Sequence, residues 1–466
     1  MKTPIFKRTL GGVTRFLVTA AQNATPAHKG FVKACEHFCN DRNAELIAVP
    51  LRYKNPTSRW AASQANEDVW ADELTPYLCN ERKKLNKNLI LLGDVKVQPT
   101  ASSPLTGFEA LTHGESGILA HTKLQLRTVA TPQSRMPKIL TTTGAATLRN
   151  YTDSKAGKLG EFHHTLGACV VEIKGKKFNV RQVNAEKNSG AFIDLDTHYS
   201  EEFGVAPAPP ALGLDIGDTH VEFTDRKVTR ATDEMTEFFK PRYKIWNDLL
   251  DGYAFNPHHF GNPFISIAKA QSNKHDARAE VMRAIAYLEK HTPDNCTSIV
   301  VPSNHDDFLA RWIIGQDWRS TGSNATFYLE TALAMTQGVT MTEHGAQYPS
   351  PFTYWGRKKL EGAANIKFLD RDESFTIAGI EVGMHGDKGP NGSRGSIKNL
   401  RRIGVKSIIG HTHSPGIEEG CYQVGTSTPL RLEYTSGPSS WLNTHCVIYA
   451  NGKRSLINII DGEWRL

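Results

Sequence analysis

Leu212-Gly213-Leu214-Asp215-Ile216-Gly217-Asp218-Thr219-His220 decides how this chain is read. A short, mostly apolar run stops at a glycine and then presents Asp-x-His. In an extended chain, residues two apart point the same way, so Asp218 and His220 offer a carboxylate and an imidazole to one side. The pattern recurs four times downstream. Residues 242–246 lead into Asn247-Asp248-Leu249-Leu250-Asp251-Gly252, and 298–302 into Ser303-Asn304-His305-Asp306. Residues 375–382 lead into Met384-His385-Gly386, and 407–409 into Gly410-His411-Thr412-His413. Strands separated by helical or loop-rich sequence form open α/β sheets, whose ligands gather at the carboxyl ends of the strands. One Asp-x-His alone is as readily a polar strand end. Five such clusters in order, each closing a strand, read as a metal constellation.

The ordered set resembles the signature of the calcineurin-like metallophosphoesterase superfamily, which runs Asp-x-His, Gly-Asp-x-x-Asp, Gly-Asn-His-Asp/Glu, His, Gly-His-x-His. The resemblance covers about 211–466. It implies one metal held by Asp218, His220 and His413, and a second by Asn304, His385 and His411. Asp248 would bridge the two, with Asp251 the other candidate for that place. His305 takes the family's catalytic histidine role, stabilising the transition state or protonating the leaving alkoxide after attack by a metal-bridging hydroxide. Asp251, His258, His259 and Asp306 are left to orient a ligand or touch substrate. Two positions depart from the pattern: Asn247 and Ser303 stand where the family has glycine. Oxygen and imidazole donors without thiolate suit manganese, iron, zinc or nickel, and the resemblance favours manganese.

The motifs imply a reaction type without choosing a phosphate ester. Between 386 and 406, Lys388, Arg394, Lys398, Arg401, Arg402 and Lys406 face one acid, Asp387. Such a loop either tracks DNA phosphates or is merely solvated. Tyr348, Phe352, Tyr354 and Trp355, beside Arg357, Lys358 and Lys359, either stack on bases or form a small core. A front α/β domain joined to these motifs is similar to phage-encoded DNA-degrading metallophosphoesterases related to SbcD-type nucleases. That likeness implies manganese-dependent hydrolysis of DNA in the host cytoplasm. The alternatives are a phosphomonoesterase or a protein or nucleotide phosphatase of the same superfamily, and a nucleic-acid-binding protein with an idle metal site.

Composition sets the frame. The 466 residues are 39% hydrophobic and 22% charged, with a formal charge of +7, which permits a polyanionic partner without demanding one. No run is apolar for long enough to cross a bilayer, so no membrane partner is expected. Seven scattered cysteines without Cys-x-x-Cys fit reduced thiols in the cytoplasm. We expect an α/β domain over 1–205, a Pro-rich linker at 206–211, and a four-layer metallophosphoesterase sandwich over 212–466. In the front half the apolar runs 16–21, 46–51, 89–92, 124–129, 168–173 and 191–195 read as strands, and 27–40 and 71–84 as helices. No phosphate-binding or dinucleotide-binding glycine motif occurs there. The polar stretch 141–164, with Lys155 and Lys158, reads as an ordinary loop or as a contact to nucleic acid or another subunit. The sequence leaves open whether the chain forms a homo-oligomer.

Overall fold

Four parallel strands, Ile366–Phe368, Thr297–Val300, Tyr243–Trp246 and Gly213–Ile216, lie side by side and are continued by the antiparallel strands Thr444–Ile448 and Arg454–Asn458. The computed structural model describes residues 12–52, 69–343, 345–432 and 435–466. Helices Arg226–Phe239 and Ala277–Lys290 make crossovers between the parallel strands. Each begins on an aspartate that accepts a backbone N–H, Asp225 from Lys227 and Asp276 from Ala279. Val228, Ala231, Met235 and Phe239 on the first, and Val281, Ala284, Ile285 and Leu288 on the second, recur at helical spacing and are buried. Helices Asp306–Gly315, Ala325–Gln337 and Pro351–Lys359 complete this layer around Trp246, Phe255 and Phe352.

The other face of the six-stranded sheet packs on a second sheet through Ile245, Ile299, Ile408, Val424 and Ile448. That sheet has ten strands, and it corrects the expected domain division. Lys406–Ile409, Cys421–Gln423 and Gly416–Glu418 come from the back half, whereas Gln125–Val129, Lys138–Thr142, Ser116–Leu119, Leu89–Leu92 and Arg82–Asn86 come from the front half. The seam is the antiparallel pairing of Gly416–Glu418 with Gln125–Val129. Gln125 donates to the buried Glu418 carboxylate at 2.7 Å, and Arg127 and Arg401 approach it at 3.4 and 3.2 Å. An unpaired strand edge would expose its N–H and C=O groups, and here each half covers the other's edge. Residues 206–211 are accordingly no free linker. Gly204–Pro207 pairs with Thr197–Ser200, and the Ala211 N–H donates to the Phe239 carbonyl at 2.9 Å.

A four-stranded sheet of Ala44–Leu51, Val13–Gln22, Gly167–Lys174 and Lys177–Asn184 carries helix Lys29–Asp41, which seats Phe31 and Phe38 against Phe192 and Tyr199. The helix expected over 71–84 is instead a 3-10 turn, Asp72–Tyr77, followed by strand Arg82–Asn86. Pro76 sits inside the turn and only Leu74 is buried there, so no apolar stripe supports a longer helix. The run 375–382 is a tight hairpin, Thr376–Ile377 with Ile380–Glu381, turned by Ala378 and Gly379 at φ 51° and 73°. In 141–164, Thr141 to Thr143 and His164 are buried, and Ser154 caps helix Lys155–His163, so much of this stretch is core rather than contact loop. All seven cysteines are free thiols, and no helix among the described residues is long and apolar enough to cross a membrane.

The seam makes the two halves one folding unit. Glu418→Ala leaves Gln125, Arg127 and Arg401 without their buried acceptor and is expected to cost about 3–5 kcal/mol in urea unfolding. A loss below about 1 kcal/mol would show that the seam is not integral.

Candidate metal centre

Three clusters follow the parallel strands Gly213–Ile216, Tyr243–Trp246 and Thr297–Val300, and the His385 and His411 clusters follow Ile380–Glu381 and Lys406–Ile409 of the ten-stranded sheet. Four of the expected ligands hold left-handed backbone: His220 at φ 44°, Asp248 at 40°, His411 at 77° and His413 at 59°. Such conformations are costly for residues other than glycine and persist where the surroundings impose them, commonly at functional sites. Gly410 shows how tightly the loops close. A Cβ there would lie 2.1 Å from Asp218 Oδ1, so only glycine lets the 410–413 loop pass over Asp218.

Asp218, His220, Asp248 and His413 are all buried, and each directs a donor atom into a region in which these atoms lie within 4.8 Å of one another. His220 Nε2 and His413 Nε2 stand 3.0 Å apart, and His413 Nε2 is 3.1 Å from Asp218 Oδ2. Asp248 Oδ2 lies 3.6 Å from His220 Nε2 and 3.1 Å from His385 Nε2, so this carboxylate stands between two histidines of different clusters. Asp251 reaches only the far nitrogen of His220, Nδ1, at 3.0 Å. Asn304 Oδ1 meets His411 Nδ1 at 3.0 Å, and the His411 and His385 rings pack edge to face.

The donors fit divalent cations. Asp218 Oδ1 and Asp248 Oδ1 are buried without a hydrogen bond, while Asp218 Oδ2 faces His413 Nε2 and His385 Nε2 faces Asp248 Oδ2 within the cluster. Buried polar atoms are almost always satisfied, and a cation held among these donors would satisfy the two free carboxylate oxygens. Imidazole nitrogens and carboxylate oxygens about 3 Å apart match neighbouring ligands on an ion bound at about 2.0–2.2 Å. Charge points the same way. Burial opposes ionisation of Asp248, but His385, His305 and His220 hold its pKa well below the usual carboxylate range. Burial likewise opposes the His385 imidazolium, yet Asp248 and Asp218 raise its pKa to about 9.

Support comes from residues that the motifs do not include. Asn247 donates to Asp215 Oδ1 at 2.8 Å and to the Ile216 carbonyl at 3.0 Å, while its Oδ1 faces His385 Nδ1 at 3.5 Å. The departure from glycine therefore supplies a group that aims His385. Burial pushes the Asp215 carboxyl well above its usual range, opposed by the Asn247 bond. Ser303 uses its hydroxyl to accept from the Asp306 N–H at 3.3 Å, and its own N–H donates to Asp306 Oδ2 at 3.0 Å. His445 Nδ1 accepts from the Gly217 N–H at 3.0 Å, and its Nε2 donates to Thr232 at 2.7 Å. Arg371 ties two clusters together, donating to the Ser303 carbonyl at 2.8 Å and to Asp387 at 3.2 Å. An aspartate inside the apolar run 212–216 was the one visible signal for this outer ring.

His305 lies on the open side. Its Nδ1–H donates to the Asp251 carbonyl at 2.6 Å, and its ring packs on His220 and Phe308 at centroid distances of 4.6 Å. Asp306 sits beneath as a buried carboxyl whose pKa burial raises to about 8. His258 packs edge-on to Phe308 and His259 edge-on to Tyr253, so neither joins the ligand group. The basic loop divides. Lys388, Arg394, Lys398 and Arg402 are exposed, whereas Arg401 is held by Glu418 and Glu419 at 3.2 and 3.4 Å. Phe352 and Trp355 are core residues and cannot stack on bases, while Tyr348 is exposed.

Protein A1 of Escherichia phage T5 is 30% identical to this chain in an alignment covering 97% of the chain and 82% of that protein. The chain belongs to the A1 family. No family model matches the sequence, and no solved structure matches it.

Because His385 carries a proton up to about pH 9 without metal, metal binding must expel it. Affinity for Mn2+ is expected to rise from pH 7 to 9, and adding Mn2+ to weakly buffered protein at pH 7 to release protons. Affinity independent of pH, without proton release, would contradict this. Asn247→Ala should weaken Mn2+ binding about 10- to 100-fold by freeing His385.

Proposed function

We propose that this A1-family chain is a two-metal phosphodiester hydrolase acting on DNA, with the calcineurin-like metallophosphoesterase arrangement. The observation that carries the reading is the buried convergence of donor atoms from Asp218, His220, Asp248 and His413, with His385 against Asp248 and His305 against His220. Two sheets packed face to face, with helices on the outer face of one, are in keeping with a sandwich of that kind. Asp218, His220 and His413 would hold one ion and Asn304, His385 and His411 the other, with Asp248 facing both groups. Bound there, divalent ions such as Mn2+ supply an acidified water and neutralise phosphate charge.

The chain's own residues do the rest. The Asp251 carbonyl fixes the His305 tautomer and ring plane by accepting from Nδ1–H. Nε2 is then the group that meets a phosphate oxygen or the leaving alkoxide, and as imidazolium it donates a proton there. Asp251 also faces His220 Nδ1, so one residue sets both a ligand and the proton donor. Exposed Lys388, Arg394, Lys398 and Arg402 add positive charge on the loop that follows His385, which favours a polyanionic diester over a small neutral substrate.

Purified protein is expected to degrade DNA with Mn2+, to lose that activity to a chelator and to leave a phosphopeptide untouched. Phosphate release from monoesters alone would replace this reading with a phosphatase, and DNA retention without cleavage would replace it with a binding protein. His305→Ala should keep its metal while losing about 100- to 10,000-fold in turnover. A turnover within threefold of wild type would remove His305 from the chemistry.

A further inference from the structure

A groove of about 680 Å³, none of it lined by the 386–406 loop, is lined mainly by the front half of the chain, with Leu442, Ile460 and Asp461 from the back half and Glu115 and Asp461 as its acids. Its basic lining is Lys84, Lys87, Lys138, Lys176, Lys177 and Arg135, with His113 beside them. Several of these charges are already engaged. Lys84 pairs with Glu115 at 2.6 Å, Lys177 with Asp461 and Glu463 at 3.2 and 3.1 Å, and Lys138 donates to the carbonyls of Glu109 and His113. Lys87, Arg135 and Lys176 remain exposed and have no carboxylate partner among the described residues.

These groups sit on a rigid frame. Lys87 lies at the turn between Arg82–Asn86 and Leu89–Leu92, and Lys176 at the turn between Gly167–Lys174 and Lys177–Asn184. The two turns are fastened together: Asn88 donates to the Lys176 carbonyl at 2.9 Å, and Asn86 to the carbonyls of Lys176 and Lys177 at 3.3 Å. The apolar lining includes the exposed Met136, the half-buried Phe178 and the buried Leu442.

One lining residue, the buried Leu442, connects the groove to the metal centre through the backbone. The Leu442 N–H donates to the carbonyl of His413 at 3.1 Å, and the Trp441 ring stands edge-on to His413 at 4.1 Å. Ser439 exchanges two backbone hydrogen bonds with Thr131, both 3.0 Å, and Thr131 Oγ1 donates to the Met136 carbonyl at 3.1 Å. Segment 439–442 therefore touches His413 through Trp441 and Leu442 and meets the groove through Leu442 alone.

We propose that this groove binds single-stranded DNA and leads it to the metal centre, with phosphates on Lys87, Arg135 and Lys176 and bases on the apolar floor. The assignment rests on the reading of the metal centre as a DNA phosphodiesterase. Unengaged cations fit phosphates, and an apolar floor fits base faces, which only an unpaired strand presents. Duplex DNA would reach the rim and leave the floor unfilled.

The test measures binding of a fluorescent single-stranded oligonucleotide to the full chain in EDTA across a salt series, so no cleavage intrudes. Wild type should bind it more tightly than a duplex of equal length. Lys87→Ala/Arg135→Ala/Lys176→Ala should bind at least tenfold more weakly at 0.1 M salt and flatten the logarithmic salt slope by about 2, at about 0.7 per lost phosphate contact. Manganese-dependent hydrolysis of a small aryl phosphodiester should be unchanged. If the triple variant melts below wild type, Lys87→Ala and Lys176→Ala singly should each remove about 0.7 of slope. An unchanged slope in the folded variants, no binding by wild type, or preference for duplex would each overturn the groove assignment. Strand binding that passes this test in a protein unable to cut DNA would instead sink the nuclease reading and leave the groove standing.

Discussion

Two carboxylates, Asp218 and Asp248, lie buried with oxygens that no N–H or O–H of the chain satisfies. A buried charge is strongly unfavourable unless it is paired or coordinates a metal. The imidazoles of His220, His385 and His413 approach these carboxylates, but their nitrogens also face one another, as His220 and His413 do at 3.0 Å. Mutually facing nitrogens beside acidic oxygens are poorly arranged as a hydrogen-bonded network and well arranged as a ligand set. The strained backbone at His220, Asp248, His411 and His413, and the glycine at 410, follow from the need to bring these donors together.

That need reaches far into the fold. Asp218 follows a strand of the six-stranded sheet, and its N–H donates to the carbonyl of Gly425 at 3.0 Å. His411 and His413 follow a strand of the ten-stranded sheet. The ligand set exists only where the two sheets are held in register, and the Ile245, Ile299, Ile408 and Val424 packing holds them. The ten-stranded sheet in turn is half built by the front of the chain. Its seam at Glu418, with Gln125, Arg127 and Arg401 around one carboxylate, gives the first 205 residues a structural role close to the site.

Several strands and the clusters that follow them were legible in the sequence for the same reason. Gly213–Ile216, Tyr243–Trp246 and Thr297–Val300 are short runs that stop at Asp, Asn or His, and both signals are local, whereas the fourth parallel strand, Ile366–Phe368, leads into none of the expected ligands. Helix 27–40 was legible from its periodicity. The composite sheet was not, because Gln125–Val129 and Gly416–Glu418 are almost 300 positions apart and neither run names its partner. Prolines at 207, 209 and 210 read as a linker, yet strand pairing and the Ala211 hydrogen bond tie the segment down. Asn247 and Ser303 read as departures from a glycine pattern, whereas in space their side chains do useful bonding. Arg401 read as one base among six until Glu418 and Glu419, contributed by another part of the sheet, were seen to hold it.

Anomalous X-ray scattering from crystals grown with Mn2+ tests the central claim most directly. Two peaks are expected, one among Asp218, His220 and His413 and one among Asn304, His385 and His411. Full manganese loading of the crystal solution with no peak at these residues, or with peaks only at the surface, would contradict it.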